Sequence, residues 1–209
     1  EVLFHFGTLI SIVYVFFEDI KQIFLKMNEK NSRVYMFYII IATLPAIFVG
    51  LLLKDYFLKI FDNVHLVGLA LCSTGFLLIF SKRFKNNQKA ITFSSSILVG
   101  IAQAIAIIPG ISRSGSTISM CMYLGIPPKE AARFSFLLSI PVILGASILG
   151  FLELESNNTF NYMTLTAAIT TSFLTGVLAL KILLKILETG KFYFFGFYCL
   201  IAGVSTTFI

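Results

Sequence analysis

Charged residues are scarce in this chain of 209 residues: they make up 12% of it, whereas about a quarter of a soluble globular protein is charged. Tryptophan is absent, and the three cysteines, Cys72, Cys121 and Cys199, lie far apart within apolar runs. Their spacing excludes a disulfide framework and a zinc site built from closely spaced cysteines. Hydrophobic residues, in contrast, make up 57% of the sequence. This balance excludes an ordinary soluble domain and indicates that lipid is the main solvent.

The formal net charge of +6 has a membrane explanation. Lysine and arginine lie between the apolar runs, where membrane topology and anionic lipid headgroups account for them. No basic stripe interleaved with aromatic residues is present, so we expect no nucleic-acid partner.

Six apolar runs approach the length of about 20 residues that a helix needs to cross a bilayer. They do not alternate with period two, which favours helices over strands. The predicted spans are Val2–Phe17, Val34–Leu53, Val64–Phe80, Phe134–Leu152, Tyr162–Leu180 and Phe192–Ile209. The sequence thus predicts an all-α, polytopic membrane protein with six transmembrane helices and membrane lipids as neighbours.

The segment 90–126 breaks this pattern. Two short apolar arms, Ile97–Ile108 and Ile118–Gly125, flank a polar stretch that begins with Pro-Gly, and the second helix is expected to start near Ser116. Half-length arms around such a break predict a re-entrant helical hairpin whose tip is buried in protein or lines a wet cavity.

The distribution of basic residues gives an independent test of the hairpin. The positive-inside rule places loops 18–33, 81–89, 129–133 and 181–191 in the cytoplasm and loops 54–63 and 153–161 outside. Because 81–89 and 129–133 then lie on one side, the stretch between them crosses the membrane twice or not at all. A re-entrant hairpin meets that requirement.

The order of elements predicts an inverted-topology repeat within a single membrane domain, residues 1–209. Residues 1–89 contain three spans, and residues 90–209 contain the hairpin followed by three spans. An odd number of spans inverts the second unit relative to the first. The hairpin of the first unit would precede residue 1.

The loop from Pro109 to Thr117 carries the chemistry. Gly110 and Gly115 allow the backbone to approach a ligand closely, and Arg113 offers a cationic fork that suits phosphate. Hydroxyl donors surround the arginine: Ser112, Ser114, Ser116 and Thr117. A helix that starts within this loop would point its amide N–H groups at the same anion.

An arginine at the membrane centre costs about 2.5–3.5 kcal/mol on the insertion scale, so it usually has a partner or a ligand. The alternative role for Arg113 is structural, with its guanidinium bound to the carbonyls at a helix C-terminus.

Pro109-Gly-Ile-Ser-Arg-Ser-Gly-Ser-Thr117 resembles the signature loop of the bacterial undecaprenyl-diphosphate phosphatase family, also known as bacitracin-resistance proteins. Three flanking stretches are similar to that family too: Gln103–Ile108, Ala131–Leu138 and Glu1–Thr8. The resemblance implies a multi-pass enzyme of the bacterial plasma membrane, with its active site open to the extracytoplasmic side. Its substrate is an isoprenoid diphosphate lipid, and hydrolysis to undecaprenyl phosphate recycles the carrier for cell-wall synthesis.

Carried over by position, the resemblance implies catalytic roles for Ser112, the candidate nucleophile, and Arg113, which would stabilise charge on the phosphoryl group. The resemblance implies that Ser114 and Thr117 help to hold the diphosphate, and Gly110, Gly115 and Ser116 of the same loop are expected to bind substrate with them. Gln103 is expected either to line the cavity or simply to pack within the protein. A divalent cation, Mg²⁺ or Ca²⁺, is expected from the family, with its ligands outside this chain. A homodimer is among the assemblies that the sequence allows.

The chain departs from the family at its start. Members have a first hairpin with a glutamate-rich stretch and a histidine, which these residues lack, so the sequence is expected to be a fragment or a degenerate homologue. Two alternatives to hydrolysis stay open: a flippase or transporter of isoprenoid phosphate lipids, and a chain that only binds the headgroup. A channel is disfavoured because no ring of charges or carbonyl filter is apparent.

Overall fold

The computed structural model describes residues 2–52, 63–83, 88–152 and 162–208, and every regular element in these ranges is helical. The α-helices are α1 Val2–Val15, α2 Phe17–Leu25, α3 Lys30–Leu52, α4 Val64–Phe80, α5 Phe93–Ile105, α6 Arg113–Tyr123, α7 Pro128–Leu152, α8 Tyr162–Glu188 and α9 Phe194–Thr207. A short 3-10 turn, Ser81–Arg83, follows α4. The all-α prediction is confirmed. The predicted outward loops lie outside the described residues except for Asn63, as do Glu1, Leu53, 84–87 and Ile209.

Three helices are long and apolar enough to cross a membrane by length and composition: Lys30–Leu52, Pro128–Gly150 and Leu165–Glu188. The apolar helices α1, α4 and α9 are shorter, at 14, 17 and 14 residues. α2 extends α1, because Phe16 N donates to Ile12 O (2.9 Å) and Ile20 N donates to Phe16 O (2.9 Å) across the break. The chain is therefore a helical membrane protein, and the count of six spans stays a prediction.

The predicted interruption in segment 90–126 separates α5 from α6. Thr92 and Ser95 form a capping box at the start of α5, and Gly110, with φ of +91°, turns the chain before α6. At the far end, Lys89 N donates to Gly125 O (3.2 Å), so the two arms leave and return at one place. The segment is thus a closed helix–turn–helix.

Of the helical pair α5–α6, α6 lies inside the bundle, whereas α5 leaves an apolar face exposed with Leu98, Ile101 and Ile105. α5 packs on α3, while α6 packs on α4, α5 and α7. Gly100 permits the approach of α5 to α3, because a Cβ there would lie 2.7 Å from the carbonyl oxygen of Ala42. This packing fixes the turn between α5 and α6 among the surrounding helices.

Helices α4 and α9 meet at paired glycines. A Cβ on Gly68 would lie 2.9 Å from Gly203 O, and one on Gly203 would lie 2.7 Å from Gly68 O. Two turns away, Gly75 and Gly196 repeat the arrangement at 2.8 and 2.6 Å. Such small residues let helix backbones come into contact, and close packing holds helices together in lipid, where there is no hydrophobic driving force for their association. The contacts are reciprocal, which is the pattern that a two-fold axis between the helices produces.

Candidate phosphate-binding site

Ser112 caps the N-terminus of α6. Its Oγ accepts a hydrogen bond from Gly115 N (3.1 Å), and its backbone has the extended conformation of an N-cap. Gly115 keeps this cap compact, because a Cβ there would lie 2.9 Å from Ser112 Oγ. The helix therefore begins at Arg113, three residues before the predicted start near Ser116. The capping hydroxyl still has its own hydrogen to donate.

Arg113 is the first residue of α6, and its half-buried side chain lines a cavity. Within the described ranges, no carboxylate lies at ion-pair distance from it. Arg133 of α7 differs, since its Nε lies 2.9 Å from Asp19 Oδ1 and its Nη1 3.5 Å from Glu130 Oε2. A half-buried guanidinium at a helix N-terminus, without a carboxylate partner among the described residues, has the chemistry to bind an anion.

The cavity beside Arg113 has a volume of about 370 Å³. Helices α1, α6, α7 and α8 line it with Thr8, Ser11, Ile12, Arg113, Ser114, Phe136, Gly176, Ala179, Leu180 and Leu183. One part of the wall carries hydroxyls and the guanidinium, and the rest is aliphatic or aromatic. This combination suits a small anionic group joined to an apolar tail.

The turn before α6 borders a second cavity of about 500 Å³, lined by Val64, Val67 and residues 106–111. Gly110 is required there, because a Cβ would collide with the carbonyl oxygen of Val67 and the φ angle is positive. The structure therefore places Gly110 against α4, on a different surface of the hairpin from the Arg113 cavity.

Thr74 of α4, a residue that the sequence treats as part of a plain span, holds this turn. Its Oγ1 accepts from Ser112 N (3.1 Å) and is within donating distance of Gly110 O (3.2 Å) and Ala70 O (3.2 Å). Its side chain is 1% exposed. The available signal was a run of small polar residues, Ser73–Gly75, inside an apolar helix, where hydroxyls commonly bond across helices.

Two predicted ligand-binding hydroxyls lie behind the first turn of α6. Ser116 and Thr117 are buried, and neither lines the Arg113 cavity. The Thr117 hydroxyl donates to Arg113 O (2.9 Å) and lies 2.5 Å from Ser135 Oγ. The structure thus brings Arg113 and Ser114 to the cavity, whereas Ser112, Gly115, Ser116 and Thr117 do not line it.

The sequence matches the family model described as Bacitracin resistance protein BacA over residues 1–205. The chain belongs to this family. An undecaprenyl-diphosphatase of Halothermothrix orenii is 39% identical over 209 residues, which cover 98% of this chain and 80% of the relative. Proteins of the same name from Syntrophotalea carbinolica and Korarchaeum cryptofilum are 34% and 35% identical; each alignment covers 97% of this chain and 80% or 81% of the relative.

The divalent cation expected from the family does not fit the residues at this cavity. Among the described residues, no three histidine, cysteine or acidic side chains come together as a possible metal site. The cavity presents a guanidinium and hydroxyls, whereas Mg²⁺ and Ca²⁺ prefer carboxylate oxygens. A positive guanidinium also repels a cation. The chemistry of the described residues at this cavity suits an anion rather than a divalent cation.

Gln103 lies away from the Arg113 cavity of this family member. Its side chain is 1% exposed, and its Nε2 donates to Ala42 O of α3 (3.4 Å). Oε1 is buried without a hydrogen-bond partner among the described residues. The structure places this amide at the α3–α5 contact, so its contact with substrate stays a prediction. His5 and His65 are exposed, and neither lines the cavity.

Proposed function

We propose that this protein hydrolyses undecaprenyl diphosphate to undecaprenyl phosphate and inorganic phosphate in the bacterial plasma membrane, which recycles the cell-wall lipid carrier and gives bacitracin resistance. The observation that carries the proposal is Arg113, a guanidinium at a helix N-terminus in an amphipathic cavity, with no carboxylate partner among the described residues. Relatives named undecaprenyl-diphosphatase align over nearly the whole chain and support the same activity.

In the proposed reaction, Arg113 and the α6 N-terminus hold the terminal phosphate and stabilise the negative charge that develops on its oxygens. The hydroxyl of Ser114, which shares the cavity, adds a donor. If Ser112, which caps α6 beside Arg113 without lining the cavity, attacks, its Oγ forms a bond to the terminal phosphorus, the bridging P–O bond breaks, and the hydroxyl proton passes to the leaving phosphate oxygen. Undecaprenyl phosphate leaves, and water then releases inorganic phosphate from the serine. A water that attacks directly gives the same products in one step.

The aliphatic wall of the cavity supports a lipid substrate. Leu180 and Leu183 come from α8. In the most apolar stretch of this helix, 18 residues long, only 6% of the residues are buried within the bundle. Such a helix faces the acyl chains, so an isoprenoid tail can pass from the cavity into lipid without crossing a polar surface.

The proposed membrane arrangement is six spans, a re-entrant hairpin and two units, 1–89 and 90–209, of inverted topology. The reciprocal glycine contacts support it, because α4 and α9 are the last spans of the two units. The proposed orientation keeps loops 18–33 and 129–133 in the cytoplasm, with the active site open to the extracytoplasmic side.

The deciding experiment measures phosphate release from undecaprenyl diphosphate by the full-length protein in detergent or proteoliposomes. Arg113→Ala is expected to lower kcat/KM on the order of 10³-fold or more, which is the scale of removing an arginine clamp on a transferring phosphoryl group. Arg113→Lys keeps the charge but loses the forked guanidinium, so its kcat/KM should lie between those of the unaltered protein and Arg113→Ala. Unchanged turnover in a well-expressed Arg113→Ala protein refutes the site.

A flippase is the second candidate. It is favoured by one observation: the described residues that line the cavity include cationic and hydroxyl groups but no carboxylate or imidazole that could serve as a base. Such a cavity can bind a headgroup without cleaving it. A liposome assay that follows phosphate release and lipid translocation separately discriminates the two, since a flippase moves the lipid with both phosphates in place.

A further inference from the structure

Most hydroxyl side chains in these helices bond to their own backbone. Thr43 donates to Ile39 O (2.8 Å), Ser73 to Leu69 O (3.0 Å) and Ser139 to Phe136 O (2.6 Å). These bonds satisfy the hydroxyl within one turn and need no second helix. Ser135 of α7 does not follow this pattern, because its hydrogen-bond partner is the hydroxyl of Thr117 on α6, 2.5 Å away.

The direction of this hydrogen bond follows from the hydrogens available. Thr117 has a single hydroxyl hydrogen, and Arg113 O lies 2.9 Å from its Oγ1 in donating geometry. Either hydroxyl can donate in the Thr117–Ser135 contact, but only donation from Ser135 leaves the Thr117 hydrogen for the carbonyl of Arg113. That direction gives a relay from Ser135 through Thr117 to Arg113 O. Ser135 is 4% exposed and Thr117 1%, so water cannot readily replace either bond.

The relay ends on the backbone of the residue whose guanidinium lines the cavity. It holds the first turn of α6 against α7, on the side of the helix away from the turn. Thr74 holds the other side through Ser112 N and Gly110 O. With both anchors in place, α6 can neither rotate nor shift along its axis without breaking a buried bond. A displacement of about 1 Å at a reacting centre costs on the order of 10²-fold in rate.

We propose that Ser135 is a positioning residue, which sets the place of Arg113 in the cavity through the Thr117 hydroxyl. This inference rests on the proposed function, since the rate it affects is that of phosphate release. Ser135 itself is not among the residues that line the cavity.

Ser135→Ala is expected to lower kcat about 10- to 100-fold, with KM changed much less, because the arginine is misplaced relative to the transition state. The matched control is Ser139→Ala, which removes a buried hydroxyl one turn further along α7 that bonds only its own helix. It should keep kcat within about twofold. Thr117→Val breaks the same relay with little change in volume, and Ser135→Ala added to it should cost no more, since the two act as a unit.

Hydrogen–deuterium exchange of the full-length protein tests the relay without any turnover. Ser135→Ala should speed exchange of the amides in residues 113–118 roughly three- to tenfold, and Ser139→Ala should leave them unchanged. If Ser135→Ala does not accumulate, Thr117→Val should give the same result. Equal kinetics and exchange in the Ser135 and Ser139 variants overturn the inference. An unaltered protein that releases no phosphate refutes the proposed function instead, and the exchange result still decides the relay.

Discussion

Replacement of Thr74 by valine removes two links between α4 and the turn before α6 while keeping the shape of the side chain. Ser112 N loses its acceptor at 3.1 Å, and Gly110 O loses a hydroxyl hydrogen that it shares with Ala70 O, each at 3.2 Å. A buried polar group left without a partner costs about 1–3 kcal/mol, so two such groups set an upper bound of about 6 kcal/mol. Hydrogen bonds between membrane helices are measured at about 0.6 kcal/mol on average, with a maximum near 1.7 kcal/mol.

The surroundings of the turn decide between these values. A cavity of about 500 Å³ borders residues 106–111, which gives the backbone room to relax and to find water. We therefore expect Thr74→Val to lower the free energy of unfolding by about 1–2 kcal/mol, near the membrane value for two bonds. The same relaxation moves the cap of α6 and with it Arg113, so kcat should fall by about 10- to 100-fold.

Phosphate-release kinetics together with a denaturation curve in one detergent measure both effects. The neighbouring Ser73→Ala is the control, because Ser73 is exposed and donates only to Leu69 O in its own helix. It should leave both quantities unchanged. A folded Thr74→Val protein with turnover within about twofold of the unaltered protein would show that the turn does not position Arg113.

Two further substitutions test the packing around the site. Gly110→Ala places a Cβ at a residue with φ of +91°, against a carbonyl of α4. We expect it to lower the free energy of unfolding by about 1–3 kcal/mol, measured as a shift of the thermal midpoint. An unchanged midpoint would refute the left-handed conformation of this turn. Gly75→Val forces α4 away from α9, because even a Cβ on Gly75 would lie 2.8 Å from the carbonyl oxygen of Gly196. Overpacking should lower the free energy of unfolding by about 1–3 kcal/mol and with it the thermal midpoint. An unchanged midpoint would contradict the glycine contact.

Hydropathy located the apolar part of each helix better than its ends. The α4 limits, Val64–Phe80, match the predicted span, because turn-forming and charged residues bound that run on both sides. In contrast, α3 begins at Lys30 rather than Val34, and α8 continues to Glu188 rather than ending at Leu180. The extra turn of α3 is wholly polar, and the extra turns of α8 place Lys181, Lys185 and Glu188 among apolar residues. Long charged side chains such as these continue a helix into the interface.

The same limitation explains the start of α6. Its first turn contains Arg113, Ser114 and Ser116, so a search for apolar residues assigns it to a loop. The capping pattern of Ser112, with Gly115 three residues later, was the signal for an earlier start. Once the helix begins at Arg113, Ser114 lies at the cavity with the arginine, whereas Thr117, one turn further along, bonds to Ser135 of α7.

The role of an arginine in a membrane protein depends on its partners, which the sequence does not contain. Both Arg113 and Arg133 stand near hydroxyls and apolar runs, and a structural role was an alternative for the first. The folded chain brings Asp19 of α2 to Arg133, which thereby becomes a link between helices. Arg113 receives no such carboxylate within the described residues, and it faces a cavity instead. Because a partly buried cation without a counter-charge lowers stability, phosphate binding at Arg113, as proposed, should stabilise the folded protein.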